Sequence, residues 1–199
     1  MRTFVLALLI GVLGPSTATA QPPAAMPRPE TLVLEDQFNR KADLAALRGS
    51  VVIIVYGDRK SNEMCRSLGE SLHVCWHPEA KGQPPAKAQA APVVPLENLR
   101  PGQESPNVVV VPVATCGKVP GPVRGLIRGQ IAKAAPDAVV WLDFAETMKE
   151  TFGQTTGEPN IVIFDAEGRQ RMKVLGKTDS RAMDELVKQV QGLRYEAVK

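Results

Sequence analysis

The most regular hydrophobic pattern in the chain is the unbroken apolar run at residues 51–56, which is rich in β-branched side chains. Because this run has no polar face, it predicts a central strand in a sheet that is covered on both sides. A second run of this kind, at 107–115, predicts a neighbouring strand, although Pro112 lacks the N–H that a ladder needs and is expected to bend or end it. The two runs together predict the centre of a sheet.

A helical pattern follows the first of these strands. Ser61 is a suitable N-cap, and the apolar residues after it recur at helical spacing, which predicts one buried stripe that includes Cys65. The alternation of helical and extended patterns along the chain is typical of an α/β sandwich with a mixed sheet. The other predicted elements are a strand at 31–36, a helical turn at 43–47, a helix at 123–134, a strand at 138–144, a helix at 146–152, a hairpin of 160–165 with 169–175, and a helix after Asp179.

The composition changes at residues 78–106, which contain seven prolines together with Ala, Gln and Lys and show no helical or strand periodicity. A stretch of this length without regular structure inside a compact domain predicts an inserted, low-complexity surface loop. The residues just before it, 73–77, are predicted to be extended. The chain length suits one domain, which we place at 31–195 with the loop inside it.

Residues 1–20 have the composition of a cleavable export signal. Arg2 supplies a positive start, an apolar segment follows it, and an A-x-A motif ends at Ala20. The apolar segment is shorter than the about 20 residues that cross a bilayer, and no other run approaches that length. We therefore predict cleavage after Ala20, a flexible leader over 21–30, and a periplasmic or secreted mature protein without a membrane span.

The composition narrows the classes of partner. The formal net charge is only +3 and the aromatic content is 5%, which argues against nucleic acid as a ligand. Arg124 and Arg128 lie four residues apart on one predicted helix and form either an anion or partner site or an ordinary solvated face. We predict an unidentified protein or small molecule as partner, and no cofactor.

Two segments resemble the redoxin (AhpC/TSA-type) branch of the thioredoxin-like superfamily. LEDQFNRKADLAALRGSVVIIVYG, at 34–57, is similar to the opening of that pattern, with Asn39 where a glycine is usual, and GEPNIVIFDAEGRQRMKVLG, at 157–176, is similar to its second half. The resemblance implies a thioredoxin-like three-layer sandwich with a central mixed sheet. It also makes Pro159 the counterpart of the cis-proline that faces the active site, and a cis bond is expected before it.

A closer resemblance is to the small exported thioredoxin-fold proteins called YtfJ. The shared features are a G-x-x-x-S turn, here from Gly57 to Ser61, a VPG…VRG segment at 119–125, and a VV-x-D-x-x-G hairpin. Those proteins lack the redox dithiol. The resemblance therefore implies a degenerate active site and a non-catalytic binding or accessory role.

A thiol-based activity depends on where cysteines fall relative to the strand-to-helix junction, since the helix N-terminus stabilises a thiolate. The sequence contains no Cys-x-x-Cys motif, and the first cysteine, Cys65, lies beyond the junction. The positions that frame a peroxidase cysteine hold Asp58 and Asn62 instead of Pro and Thr or Ser. Burial on the apolar stripe is expected to raise the pKa of the Cys65 thiol. The region equivalent to the active site comprises Asp58, Arg59, Lys60, Ser61 and Pro159.

The three cysteines leave a second function open. In an oxidising compartment Cys65, Cys75 and Cys116 could form one disulfide in any of three pairings, or all three could be small buried hydrophobic residues. The alternative function is a thiol-dependent peroxidase or oxidoreductase that uses Cys65 with Cys75 or Cys116.

A third function would be metal binding. His73, Cys75 and His77 alternate along the predicted extended segment and would point to one face, as copper or zinc ligands could. On a strand, however, the two histidines would lie about 13 Å apart, so at most two of the three residues could share an ion. We therefore predict no metal site, since further ligands would have to come from elsewhere, with Cys65, Cys116 and Asp143 as candidates.

Overall fold

The apolar run that follows Ser50 forms an interior strand of a seven-stranded sheet in the computed structural model, which describes residues 30–199. The strands are β1 (Val33–Asp36), β2 (Lys41–Asp43), β3 (Val51–Gly57), β4 (Val108–Thr115), β5 (Trp141–Asp143), β6 (Asn160–Phe164) and β7 (Gln170–Leu175). The helices are α1 (Asn62–Trp76), α2 (Pro85–Gln89), α3 (Gly121–Ala134), α4 (Thr147–Phe152) and α5 (Ser180–Glu196).

The predicted signal peptide, residues 1–20, and the predicted leader up to residue 29 lie outside the described residues. Within residues 30–199, no helix combines the length and the apolar character that crossing a membrane requires.

The sheet has the order β2-β1-β5-β4-β3-β6-β7. The strands β3, β4 and β5 run parallel to one another, whereas β6 pairs antiparallel with β3 and the remaining pairs are also antiparallel. The sheet is therefore mixed, and the predicted α/β fold class is confirmed.

Both faces of β3 are covered, as its continuous apolar sequence predicts. Ile54 and Tyr56 belong to a core that α4 completes with Met148 and Phe152. The alternate residues of β3 belong to a second core, which α1 and α5 cover with large apolar side chains. These two cores give the three layers of the sandwich, because successive side chains of a strand point to opposite faces.

Pro112 does not end its strand, although an early end is one of the two predicted outcomes. The strand β4 continues to Thr115, and Pro112 lies opposite Val55 of β3. The strand β5 begins to pair with β4 only at Val113. The missing N–H of Pro112 is tolerated because only one strand lies beside β4 at this position.

The strand β5 is shorter than the predicted 138–144 because a side chain takes the place of a strand partner at its start. Gln37 is buried, its amide nitrogen donates to the Ala138 carbonyl at 2.5 Å, and its amide oxygen accepts from the Val140 N–H at 2.8 Å. These bonds satisfy backbone hydrogen-bonding groups just before Trp141, where no neighbouring strand pairs with them.

The residues before the insertion are helical, so the predicted extended segment at 73–77 is wrong. The helix α1 continues to Trp76, and its two fully buried residues are Leu72 and Trp76. These two residues lie four positions apart, so the apolar stripe of α1 runs on through the segment and packs against the sheet.

Residues 78–106, hereafter the 78–106 segment, contain α2 and a 3-10 turn at Pro78–Ala80 and are otherwise irregular. The segment is attached to the domain by polar contacts. The Val94 N–H donates to the Trp76 carbonyl at 2.7 Å, and the buried guanidinium of Arg194 in α5 donates to the carbonyls of Val94 and Pro106. The segment is therefore held to α1 at one side and to α5 at the other.

Candidate functional site

The predicted site lies at the turn that joins β3 to α1. The Asp58 carboxylate accepts from the N–H groups of Lys60 at 2.9 Å and Ser61 at 3.2 Å within this turn. Its second oxygen accepts from the Gly157 N–H at 2.9 Å. Gly157 belongs to the loop between α4 and β6, so one carboxylate ties the two loops of the site together.

The hydrogen bonds around Asp58 favour its charged form. Burial of the carboxyl opposes ionisation, but the N–H groups of Gly157, Ser61 and Lys60 outweigh this effect and hold the pKa of Asp58 below its ordinary value. A fixed negative charge therefore occupies the turn that precedes α1.

Ser61 is completely buried and stands at the N-cap position of α1, but it does not cap the helix with its side chain as predicted. Its hydroxyl donates instead to the Asp58 carbonyl at 3.1 Å. This orientation brings the hydroxyl against the end of β3, where a Cβ on Gly57 would lie 2.7 Å from Cys65 Sγ and closer still to Ser61 Oγ. Only glycine fits at position 57, which accounts for the G-x-x-x-S spacing of the turn.

The Cys65 thiol is half-buried and packs against the core between the sheet and the α1 and α5 helices. Burial raises the pKa of this thiol and outweighs the lowering by the hydrogen bond of the Ser61 hydroxyl, and the nearby Asp58 charge adds a smaller raising effect. The surroundings of Cys65 therefore disfavour a thiolate.

The three cysteines are free, so the disulfide considered from the sequence is not formed in this structure. Cys65 and Cys75 lie ten residues apart on α1, a rise of about 15 Å, whereas the Cα atoms of a disulfide lie within about 7 Å of each other. Cys116 lies beyond the end of β4, where burial and the charges of Asp143 and Glu35 raise its pKa to about 11.

The metal-binding hypothesis requires residues 73–77 to be extended, but the structure places residues 73–76 in the helix α1. The rings of His73 and His77 stack with their centroids 4.3 Å apart, and ring nitrogens of both lie within 2.9 Å of backbone carbonyl oxygens. Cys75 is exposed. In the described part of the chain, no group of three or more His, Cys, Asp or Glu side chains is arranged to hold a metal ion.

The loop opposite Asp58 is shaped by a residue that sequence reasoning missed. Asn160 is completely buried; its amide nitrogen donates to the carbonyls of Glu158 at 2.9 Å and Thr155 at 3.2 Å, and its oxygen accepts from the Thr155 N–H at 2.8 Å. The only sequence signal for this role is a polar residue at the start of an otherwise apolar buried strand.

Pro159 is buried in this loop, but the predicted cis bond before it is wrong. Every peptide bond in residues 30–199 is trans. The loop reaches its position through the hydrogen bonds of Asn160, which turn the chain so that the Gly157 N–H meets Asp58.

A second polar cluster lies where α3 meets the end of β5. The guanidinium groups of Arg124 and Arg128 lie 5.3 and 5.5 Å from the ring centroid of Phe144, and Arg128 pairs with Glu35 at 2.6 Å. A shallow depression of about 270 Å³ adjoins them. The charge of Arg128 is thus balanced within the chain.

The predicted site residues therefore fall into separate places. Asp58, Ser61 and Cys65 form one contiguous group, and the loop of Pro159 faces them. Arg59 and Lys60 are exposed at the rim of this group. His73, Cys75 and His77 lie elsewhere, at the far end of α1. Cys116 follows β4 at the same edge of the sheet as the Asp58 turn, because β3 and β4 run parallel and Gly57 lies opposite Ala114.

Neither a family model nor a curated protein matches the sequence. Solved structures do match. The chain is similar to the exposed lipoprotein thioredoxin of Streptococcus pneumoniae, with 16% identity, coverage of 80% of this chain and 99% of that chain, and a TM-score of 0.50. A thioredoxin-like protein of Porphyromonas gingivalis gives 15% identity, 86% and 94% coverage, and a TM-score of 0.51. The fold is thioredoxin-like.

A proposed protein disulfide isomerase of Bacteroides thetaiotaomicron matches to a similar degree, with 13% identity, 85% and 89% coverage, and a TM-score of 0.51. At such identities the likeness establishes the thioredoxin-like fold alone. What the chain does must be argued from the residues of its own site.

The close approach at Gly57 leads to a stability prediction. We expect Gly57→Ala to lower the free energy of unfolding by about 1–3 kcal/mol, because the added methyl displaces Ser61 and Cys65. The control is Gly69→Ala in α1, where the methyl meets only Val110 at 3.9 Å and should stabilise the helix by up to about 1 kcal/mol. Urea denaturation measures both, and equal effects of the two variants would refute the steric argument.

The Asp58 contacts lead to a pH prediction. Because the pKa of Asp58 is lowered in the folded protein, its stabilising effect is present above the unfolded value of about 3.9 and is lost as the pH falls through the folded value. We expect Asp58→Asn to cost about 1–3 kcal/mol near neutral pH and much less in strong acid.

Denaturation midpoints of wild type and Asp58→Asn across this range provide the measurement. Asp184→Asn, on the exposed surface of α5, is the matched control and should be nearly neutral throughout. A deficit for Asp58→Asn that is the same in acid and at neutral pH would contradict the role of the charge.

Proposed function

We propose that this chain is an exported thioredoxin-like protein of the redoxin type, related to the YtfJ-like group, that binds or supports a partner without thiol chemistry of its own. The observation that carries the proposal is the Asp58 carboxylate, held by three backbone N–H groups in the turn before α1. In a thiol oxidoreductase this helix entrance stabilises the reactive thiolate.

The position of Cys65 supports the same proposal. Its N–H donates to the Ser61 carbonyl at 2.8 Å, so Cys65 already lies within the helix and not in the turn. A dithiol mechanism also needs a second thiol to resolve the mixed disulfide. Cys75 lies about 15 Å along the same helix, too far to serve. For Cys116, the other candidate, burial and the charges of Asp143 and Glu35 raise the pKa to about 11, which disfavours its thiolate.

The rim of the site supports a binding role. The parallel strands β3, β4 and β5 end at this edge of the sheet, which is where open α/β sheets bind ligands. Arg59 and Lys60 are exposed there next to the half-buried Asp58. The partner is therefore a molecule with an acidic surface that contacts these two side chains.

A thiol assay on the mature protein tests the proposal. We expect no peroxide or disulfide turnover. We also expect Cys65 to react with a thiol reagent more slowly at neutral pH than Cys75, because Cys65 is half-buried whereas Cys75 is exposed. Comparing the Cys65→Ser and Cys75→Ser variants separates the two thiols.

One result would replace the proposal with the thiol-dependent alternative. It is a Cys65 thiolate that forms below about pH 7 together with peroxide turnover that Cys65→Ser abolishes and Cys75→Ser preserves. Export is tested separately by cell fractionation and N-terminal sequencing, with a mature start at Gln21 as the expected result.

A further inference from the structure

His77 contacts two carbonyl oxygens at once, and one of them belongs to the 78–106 segment. The side chain is buried, with 3% of its surface exposed. Its Nδ1 lies 2.8 Å from the Ala91 carbonyl oxygen in the segment, and its Nε2 lies 2.9 Å from the Val108 carbonyl oxygen in β4. The ring therefore connects the segment to the sheet.

The chemistry of these contacts depends on how many protons the ring carries. A carbonyl oxygen only accepts hydrogen bonds, and a neutral imidazole has one N–H group to donate. The neutral ring of His77 can therefore satisfy Ala91 or Val108 but not both. The doubly protonated ring donates to both carbonyls.

His73 stacks against the His77 ring, and the surroundings of His73 favour its own neutral form. The two rings stack at an interplanar angle of 14°, and His73 Nε2 lies 2.9 Å from the Ala88 carbonyl oxygen. Burial lowers the pKa of His73, and the charge of His77 lowers it further, against a raising effect of the Ala88 contact. A neutral His73 already has the one N–H that its contact needs.

Few charges face this pair. None of the hydrogen bonds or ion pairs within residues 30–199 joins either ring to a carboxylate. The strand β4 carries no ionisable side chain. Among the ionisable residues on the elements around the pair are Glu70 and Cys75 on α1, Glu79, Lys81 and Lys87 in the segment, and Arg194 on α5.

We propose that His77 is a protonation-sensitive latch that docks the 78–106 segment onto the sheet. The latch is closed when the ring is doubly protonated. When the ring loses one proton it must give up one carbonyl, and the contact to Ala91 is lost because Val108 is fixed in the sheet by its pairing with Val51. The contacts of Val94 to Trp76 and Arg194 persist. Residues 81–93, which include α2, keep the contacts of Ala88 to His73 and of Gln89 to Asp137, so they loosen without leaving the domain.

The test follows ring protonation and segment protection together in the mature wild-type protein. Histidine ordinarily changes charge between about pH 5 and pH 8, so the measurements span this range. Ring ¹⁵N NMR reports the protonation of His77, and hydrogen exchange, corrected for the intrinsic effect of pH, reports the protection of 81–93. We expect protection to fall about tenfold as His77 loses its second proton, the effect of one hydrogen bond.

Two variants sharpen the test. His77→Gln has a single donor group that cannot gain a proton, so its 81–93 region should be loosened at every pH with no pH dependence. His73→Gln is the matched control and should keep the pH dependence, because the contacts of His77 remain. The proposal is overturned if protection does not follow His77 protonation, if His77 keeps one protonation state throughout, or if His77→Gln retains the pH dependence; the first two outcomes require no variant.

Discussion

The burial of β3 on both faces is the constraint on which the rest of the structure depends. All seven residues of this strand are buried, so helices must cover both sides of the sheet and strands must pair along both edges of β3. Its end at Gly57 then determines where the chain turns into α1. Because β6 pairs antiparallel with β3, the loop that enters β6 arrives at the same place, and Asn160 shapes that loop beside Tyr56.

The meeting of these two loops creates a place that favours an anion. Backbone N–H groups of the turn and of the facing loop converge there on the Asp58 carboxylate, and a helix begins behind them. In a thioredoxin-like oxidoreductase the same features stabilise a thiolate. Here the Asp58 carboxylate accepts from these N–H groups, so the negative charge at this position is carried by a group that cannot exchange sulfur.

Buried polar side chains that contact backbone carbonyls hold the 78–106 segment. Arg194 donates only to the carbonyls of Val94 and Pro106 and to the Gln191 side chain, and the desolvation of its guanidinium lowers its pKa. His77 faces carbonyls in the same way. Polar contacts of this kind place an irregular, proline-rich segment without a large apolar core of its own, and they make its attachment sensitive to protonation.

The sequence by itself determined the covered central strands, the hairpin of β6 and β7, the apolar stripe of α5 and the displacement of Cys65 from the junction, because each follows from a local pattern of side chains. Only the tertiary structure decided that α1 continues to Trp76 and that β4 passes through Pro112. It alone also decided that Asp58 reaches Gly157. These features depend on which groups become neighbours when distant segments pack together. The spacing of residues along the sequence does not specify which distant residues they contact in the fold.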